Sequence, residues 1–390
     1  MSIIRNLYSS LRHAKDDAKA SLVSLVLHRE EINRYKDHRR IAIANQYPLS
    51  KEQKEQVDEF YLTNYGQKVD YVWHQNYAAH AGRFDYKFFP ELLYIPEFEA
   101  YQNQNTDAVN LLSDKNFLPI LAKGVGVKMP CTIVDCTNGV LRDGDSHIIT
   151  PKMALEILSK RDCFFIKPSV NSGSGLGCLK VNNKAKTEFN GNSIIVEGVS
   201  YSQNYIIQEI IDCHESLQKL YPYAANSFRV ITYLWYDKVY HMPIDLKVGR
   251  GGSYLDNAHA GGMMVAVDDN GVLCNHAVTE LNEQYVDHPD TGIRFEGYCI
   301  EHFQNMIRDL IHFHEAIPQV GCINWDASID RKGNTVVIEA NTRFGSIWHP
   351  QMSHGVGPFG ERTADVLQWL RFMKHLKPHD RLLYSAGKMG

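Results

Sequence analysis

The first 65 residues carry the pattern of a helical region. Ser50 stands before KEQKEQVDEFYLTNYG, where it serves as an N-cap and Gly66 as a stop. Upstream, Leu22, Val23, Leu25, Val26 and Leu27 form a strongly apolar stretch with Lys and Arg on its flanks. Packing of this helix on a core is the expectation, and a helix lying on a membrane surface is the alternative. Residues 67–105 are dense in Tyr, Trp and Phe, which bury large areas and also line grooves. From 106 onward short helical and strand-like runs alternate, without an internal repeat or a low-complexity tract.

One alternation carries chemistry. Residues 164–181 read FFIKPSVNSGSGLGCLKV. The spacing is not the G-x-G-x-x-G of a dinucleotide turn, and the glycines run into the strand-like CLKV, where that motif requires a helix. Two strands, Cys163 to Lys167 and Cys178 to Val181, are therefore expected to flank a glycine loop that closes over phosphates. Lys167, at the end of the first strand, can neutralise their charge.

A second alternation lies at residues 321–345, GCINWDASIDRKGNTVVIEANTRFG. If Arg331 to Asn334 form the turn of a hairpin, Asp330 pairs with Thr335 and Asp326 faces Glu339. Glu339, Asn341 and Arg343 then share one face. Two opposed carboxylates repel unless a cation lies between them or one is protonated. With the Asn341 oxygen they form a hard-oxygen set suited to Mg²⁺ together with nucleotide phosphates.

Composition removes several other classes. Apolar residues make up 44% and charged residues 22% of 390 residues, as in an ordinary globular protein, and the length predicts two or three subdomains. A net charge of −4 gives no footprint for nucleic acid. No apolar run approaches the roughly 20 residues of a membrane span, and the N-terminus does not read as a signal peptide. The eight cysteines include no C-x-x-C pair, so reduced thiols in an intracellular protein are expected. Cys131 and Cys136 lack nearby Cys or His partners for a metal. His312 and His314 read as packed or solvated, and His276 and His349 are unassigned.

A glycine flap with a lysine, followed far downstream by an Asp…Glu-x-Asn hairpin, resembles the ATP-grasp superfamily over residues 110–365. The resemblance implies an α+β fold: two subdomains clamp ATP under a glycine-loop lid, behind a helical, aromatic N-terminal region. The boundaries it implies are 1–108, 109–207 with a lid at about 133–205, 208–376, and a tail at 377–390. Lys115 and Lys167 match the two ATP-contacting lysines. The phosphate-covering loop maps to Ser172, Gly173, Ser174, Gly175 and Gly177. YIIQEII at 205–211 looks like the adenine hinge, with contacts at Gln208, Glu209 and Ile211, and Glu215 is the candidate for ribose. Asp326, Glu339 and Asn341 match the metal ligands, for Mg²⁺, two ions expected, with Mn²⁺ as a substitute. Many relatives carry Glu where Asp326 stands.

Three further stretches resemble the sugar-transfer-associated ATP-grasp proteins of bacterial polysaccharide biosynthesis: WHQNYAAHAGRFDYKFFPELLYIPEFEAYQN, NSFRVITYL and LKVGRGGSYLDNAHAGGMMVAVDDNG. The implied reaction is ATP-dependent joining of a carboxylate to an amine through an acyl phosphate. Arg343, Arg229, Lys247 and Arg250 are the candidates for offsetting charge on the reacting groups, with Asp256 and Asn257 as substrate contacts. An amino acid and a uronic acid of a capsule or O-antigen precursor form the expected pair. The alternatives are a small-molecule kinase and a non-catalytic nucleotide-binding partner of a glycosyltransferase complex. A cytoplasmic location is expected, with peripheral contact to glycan-assembly enzymes at the inner membrane face and none with nucleic acid.

Overall fold

Three helices open the chain: α1 (Ser2–Tyr35), α2 (His38–Ala44) and α3 (Lys51–Asn64). The computed structural model describes residues 2–170, 175–182 and 185–389, with side chains from Lys15 onward. Ser50 caps α3 reciprocally: its Oγ accepts from the Gln53 N–H, and the Gln53 side chain accepts from the Ser50 N–H. Gly66, at φ +84°, turns the chain out of the helix.

The apolar stretch of α1 does not pack as expected. Leu22 and Leu25 are 63% and 68% exposed, and only Leu27 of the five reaches a core cluster. The reason is which face the body holds. Asp17, Ser24, His28, Glu31 and Tyr35 turn inward at helical spacing. The helix is tied by polar contacts, His28 Nε2 to the buried Glu97 at 3.1 Å and Asp17 to His379 Nδ1 at 2.8 Å. Leu25→Ser should therefore change stability by no more than about 0.5 kcal/mol, against about 2–5 kcal/mol for truncating a packed leucine. A chemical unfolding midpoint decides between the two. No described helix is long and apolar enough to cross a membrane.

The aromatic segment is core. Helix α4 (Val72–Ala81) buries Trp73 and Tyr77, and Phe88, Phe89, Tyr94 and Phe98 are enclosed behind it.

Two antiparallel sheets position the site. The first has the order β2-β1-β8-β3-β4, from β1 (Thr132–Thr137), β2 (Val140–Asp143), β3 (Cys163–Pro168), β4 (Leu179–Asn182) and β8 (Tyr205–Gln208). A small sheet of β5 (Thr187–Asn190), β6 (Ser193–Val196) and β7 (Val199–Tyr201) is inserted between β4 and β8. The second large sheet runs β14-β13-β12-β11-β9-β15-β16, and β10 pairs with the second half of β9, on the edge whose first half pairs with β11. Its strands are β9 (Phe228–Trp235), β10 (Lys238–His241), β11 (Ile244–Val248), β12 (Met263–Val267), β13 (Leu273–Val278), β14 (Gln284–Tyr285), β15 (Cys322–Ile329) and β16 (Thr335–Asn341). Helices and antiparallel sheets thus combine in an α+β arrangement.

The hairpin register contains a correction. Asp326 does face Glu339, but Thr335 pairs with Ile329 and not with Asp330. A bulge between Asp326 and Ala327 absorbs the one-residue difference, leaving Ile338 as the extra residue. Of the two histidines in DLIHFHEAIP, His314 is core. Thr232 Oγ1 donates to its Nδ1 at 2.7 Å, its Nε2 donates to the Val320 carbonyl at 2.8 Å, and burial lowers its pKa to about 4. All eight cysteines are free thiols; Cys131 is exposed and Cys136 buried.

Candidate active site

A cleft opens between the two large sheets. The first sheet contributes Phe165, Lys167, Lys180 and Gln208. The second contributes Lys247, Asp326, Ile338 and Glu339. Lys115, from the loop before the helix Leu118–Gly124, completes its floor.

The charges at its inner end are arranged in a row. Asp245, Arg229, Asp326 and Glu339 are successive cross-strand partners on β11, β9, β15 and β16. Asp326 Oδ1 lies 3.1 Å from Lys247 Nζ and 3.2 Å from Arg229 Nε. Glu339 lies 3.0 Å from Lys115 Nζ, and Lys167 Nζ donates to the carbonyl of the bulged Ile338 at 3.4 Å. The two opposed carboxylates are thus balanced by protein cations. Burial alone would raise the Asp326 pKa, but Arg229 and Lys247 hold it below the usual carboxylate value. Burial lowers Lys167 from the ordinary lysine value; Glu339 opposes that shift and Lys115 reinforces it. Four cations (Lys115, Lys167, Lys247, Arg229) against three carboxylates (Asp326, Glu339 and, 3.9 Å from Lys247, Asp256) leave a net +1 at this end. Such a surplus suits an anionic phosphate chain.

A divalent cation fits the same donors. Asp326 Oδ1 is buried without an aligned hydrogen bond, and Glu339 and Asn341 follow on alternate positions of β16.

The flap and the hinge frame the other walls. Gly175 (φ +76°) and Gly177 (φ +70°) adopt left-handed backbone, and a Cβ on Gly177 would meet the Pro168 ring at 3.0 Å. Tyr201 donates to the Gly177 carbonyl at 2.8 Å, and Tyr254 to that of Cys178 at 3.3 Å. Ser172, Gly173 and Ser174 lie outside the described residues. At the hinge the Gln208 side chain donates to the Pro130 carbonyl and the Glu209 N–H to that of Cys131. The Glu209 carbonyl and the Ile211 N–H have no backbone partner among the described residues.

The structure brings Lys115, Lys167, Gly175, Gln208, Glu209, Ile211, Lys247, Asp256, Asn257, Asp326 and Glu339 to one cleft. It places others elsewhere. Glu215 is exposed on the outer helix Glu215–Leu220 and paired with Lys219 at 2.6 Å, away from the cleft. Arg250 bonds the Gly261 carbonyl, the Tyr285 hydroxyl and Glu283, so it braces its own loop. Arg229 stands behind Asp326 and does not line the cleft. Arg343 lies past the end of β16 at an exposed position and favours ionisation of the Glu99 carboxyl. The buried Asp256 accepts from the Ser227 N–H and hydroxyl, which makes it a brace between the 249–257 loop and β9. Sequence reasoning missed Lys180, Tyr254 and Ser227. For Lys180 a signal existed, since it alternates with Cys178 on the strand behind the flap.

The row has a pH consequence. Asp245 is fully enclosed, and burial pushes its carboxyl up to about 7 against the Ser353 hydroxyl and Arg229. Glu99 is also held at about 7 by burial, against the N–H groups of Gly345 and Phe344. Both acids keep a proton in the folded state that the unfolded chain releases near pH 4. Their stabilisation is present at low pH and is lost as pH rises through about 7. Between pH 6 and 8 each should subtract on the order of 1 kcal/mol. His74 and His314, both near 4, act only below about 6.5. The melting temperature should therefore fall from pH 6 to 8, and Asp245→Asn should flatten that fall. An unchanged slope in the variant would count against a protonated Asp245.

Several solved structures share features of this fold at low similarity. An L-amino acid ligase from Bacillus licheniformis is 14% identical, over 67% of this chain and 48% of that one, with a TM-score of 0.36. A D-Ala:D-Ser ligase from Enterococcus faecalis is 14% identical over 67% and 62%, with a TM-score of 0.35. An N5-carboxyaminoimidazole synthase from Aspergillus clavatus, in complex with ADP and 5-aminoimidazole ribonucleotide, is 10% identical over 62% and 47%, also at 0.35. The chain spans about half the length of the first and third of these. No curated protein matches the sequence significantly. A family model does, over residues 96–366, which takes in both large sheets, the flap, the hinge and the carboxylate hairpin. The chain belongs to the sugar-transfer associated ATP-grasp family.

Proposed function

We propose that this protein is an ATP-dependent carboxylate–amine ligase. The observation that carries this reading is the surplus of positive charge around Asp326 and Glu339, at the inner end of a cleft whose other end offers a carbonyl and an N–H without backbone partners among the described residues. ATP lies with adenine at the hinge, where the Glu209 carbonyl accepts from the amino group and the Ile211 N–H donates to the ring. Lys115 and Lys167 take the phosphates. Asp326, Glu339 and Asn341 would hold Mg²⁺, which when bound would supply charge neutralisation at the terminal phosphate. The acceptor carboxylate attacks the γ-phosphorus, the bond to the β-phosphate oxygen breaks, and ADP leaves. Lys247, fixed beside Asp326, offsets charge on the transferring group. A neutral amine then attacks the acyl carbon, phosphate departs, and the nitrogen loses a proton to give the amide.

The family description as sugar-transfer associated supports a sugar acid, such as a uronic acid in a bacterial polysaccharide precursor, with an amino acid as the amine. The test is an ADP-release screen of uronic acids and amino acids with ATP and Mg²⁺, followed by mass spectrometry. Equimolar ADP, phosphate and a condensed amide support the reading. A stable phosphorylated product identifies a kinase instead. ATP binding without ADP release under any pair would leave a nucleotide-binding partner as the function.

A further inference from the structure

A second cluster of donors lies outside the cleft and has no part in the chemistry above. His214 opens the helix Glu215–Leu220, and Glu301 and His302 lead into the helix Phe303–Glu315. Each offers a ligand atom, and the three atoms lie within 4.8 Å of one another. No other group of three such donors is found among the described residues. The two imidazoles meet edge to face, with centroids 5.0 Å apart. No hydrogen bond or ion pair uses the side chains of Glu301 or His302 among the described residues. We propose that His214, Glu301 and His302 form a second metal site, for a borderline dication of the Zn²⁺ class.

The donor types select the ion. Two imidazoles and one carboxylate suit Zn²⁺, Co²⁺ or Ni²⁺, whereas Mg²⁺ prefers oxygen alone. This separates the site chemically from the Asp326–Glu339 pair. Three protein ligands leave further positions to water, as the exposure of Glu301 and His302 allows. Ligands on a tetrahedral ion stand about 3.3 Å apart at bond lengths of about 2.0–2.1 Å. Closing from 4.8 Å takes a small rotation of two exposed side chains.

Two local features prepare the imidazoles. His302 sits at φ +64°, a backbone that directs its ring against Gly333; a Cβ there would meet Cε1 and Nε2 at 2.7 Å. His214 Nδ1 lies 3.0 Å from Ser216 Oγ and 3.3 Å from the Ser216 N–H. With a metal on Nε2, Nδ1 carries the proton and donates to Ser216 Oγ, giving up the longer contact. A hydroxyl acceptor behind the ring is the kind of outer partner that orients metal-binding histidines.

The site would join three segments: the chain leaving the hinge, the start of the helix Phe303–Glu315 and, through the ring on Gly333, the turn of the carboxylate hairpin. His214 N already donates to the Ile329 carbonyl at that hairpin.

The test uses the full chain, stripped with chelator and kept in excess Mg²⁺ so that oxygen sites are filled. Zn²⁺ is then titrated by calorimetry and its uptake counted by elemental analysis. The variants are His302→Asn and His214→Asn, since Asn tolerates the left-handed backbone at 302 and can cap the helix at 214. Glu301→Gln is the third. One Zn²⁺ per chain with a low-micromolar or tighter Kd is expected. Each His variant should weaken it at least tenfold and lose the Zn²⁺-dependent rise in melting temperature. Wild type without saturable uptake would overturn the proposal. So would His302→Asn binding Zn²⁺ as tightly as wild type, which would place the ion on other histidines.

Discussion

Glu339→Gln should reduce ATP-dependent turnover at least a hundredfold, about 3 kcal/mol of transition-state stabilisation. The amide keeps the shape of the side chain but removes a negative charge that would face a dication and the phosphate chain. The effect on the free protein has the opposite sign to what repulsion between two bare carboxylates would give. Glu339 lies 3.0 Å from the enclosed Lys115 ammonium, with Lys167 nearby. Neutralising it leaves two buried lysines with less opposing charge, so the melting temperature without ligand should fall. The further stabilisation by ATP with Mg²⁺ should shrink as well. Both melting shifts and the rate are measured on one preparation. A variant with near-normal turnover and a full ATP–Mg²⁺ shift would remove Glu339 from the metal site.

The charges around Glu339 mark where sequence reasoning reached and where it stopped. Alternation along a strand is local, so the facing of Asp326 and Glu339 was legible, as were the strands on either side of the glycine loop. The bulge was not, because it depends on which carbonyl Lys167 and the neighbouring sheet require. The identity of the cations opposite each carboxylate was equally out of reach. The sheet order β11-β9-β15-β16 sets Arg229 and Lys247 beside the pair, and Lys115 reaches it from a separate loop whose backbone is tied to the Ser169 carbonyl. Arg250 misled for the same reason: a charged residue near a motif in sequence carries no record of the partner it meets in space, here Glu283. Glu215 had a local signal, since Lys219 stands four residues on along the same helix. The leucines of α1 failed differently. Their number was read as a buried stripe, but the inward face is set by polar residues whose partners, Glu97 and His379, lie far along the chain.

Asp326→Asn should be the most damaging single change to the fold around the site. Its carboxylate is buried and lies within 3.2 Å of two cations that belong to different strands, Arg229 on β9 and Lys247 on β11. Breaking a buried pair by removing one partner typically costs about 3–5 kcal/mol, because the other charge remains without compensation. Here two cations are affected, and neither neighbouring carboxylate is free to take them. Ser227 holds Asp256 by two bonds to its Oδ2, which leaves Asp256 Oδ1 at 3.9 Å from Lys247, too far for a hydrogen bond. Asp245, the other neighbour of Arg229, holds its proton up to about pH 7. The variant should unfold at a much lower urea concentration and show no turnover. Adding Lys247→Met removes one of the stranded charges and should recover part of the stability while activity stays lost. If Asp326→Asn unfolds like wild type, or if the double variant is no more stable than the single one, the Arg229–Asp326–Lys247 cluster does not hold the hairpin in place.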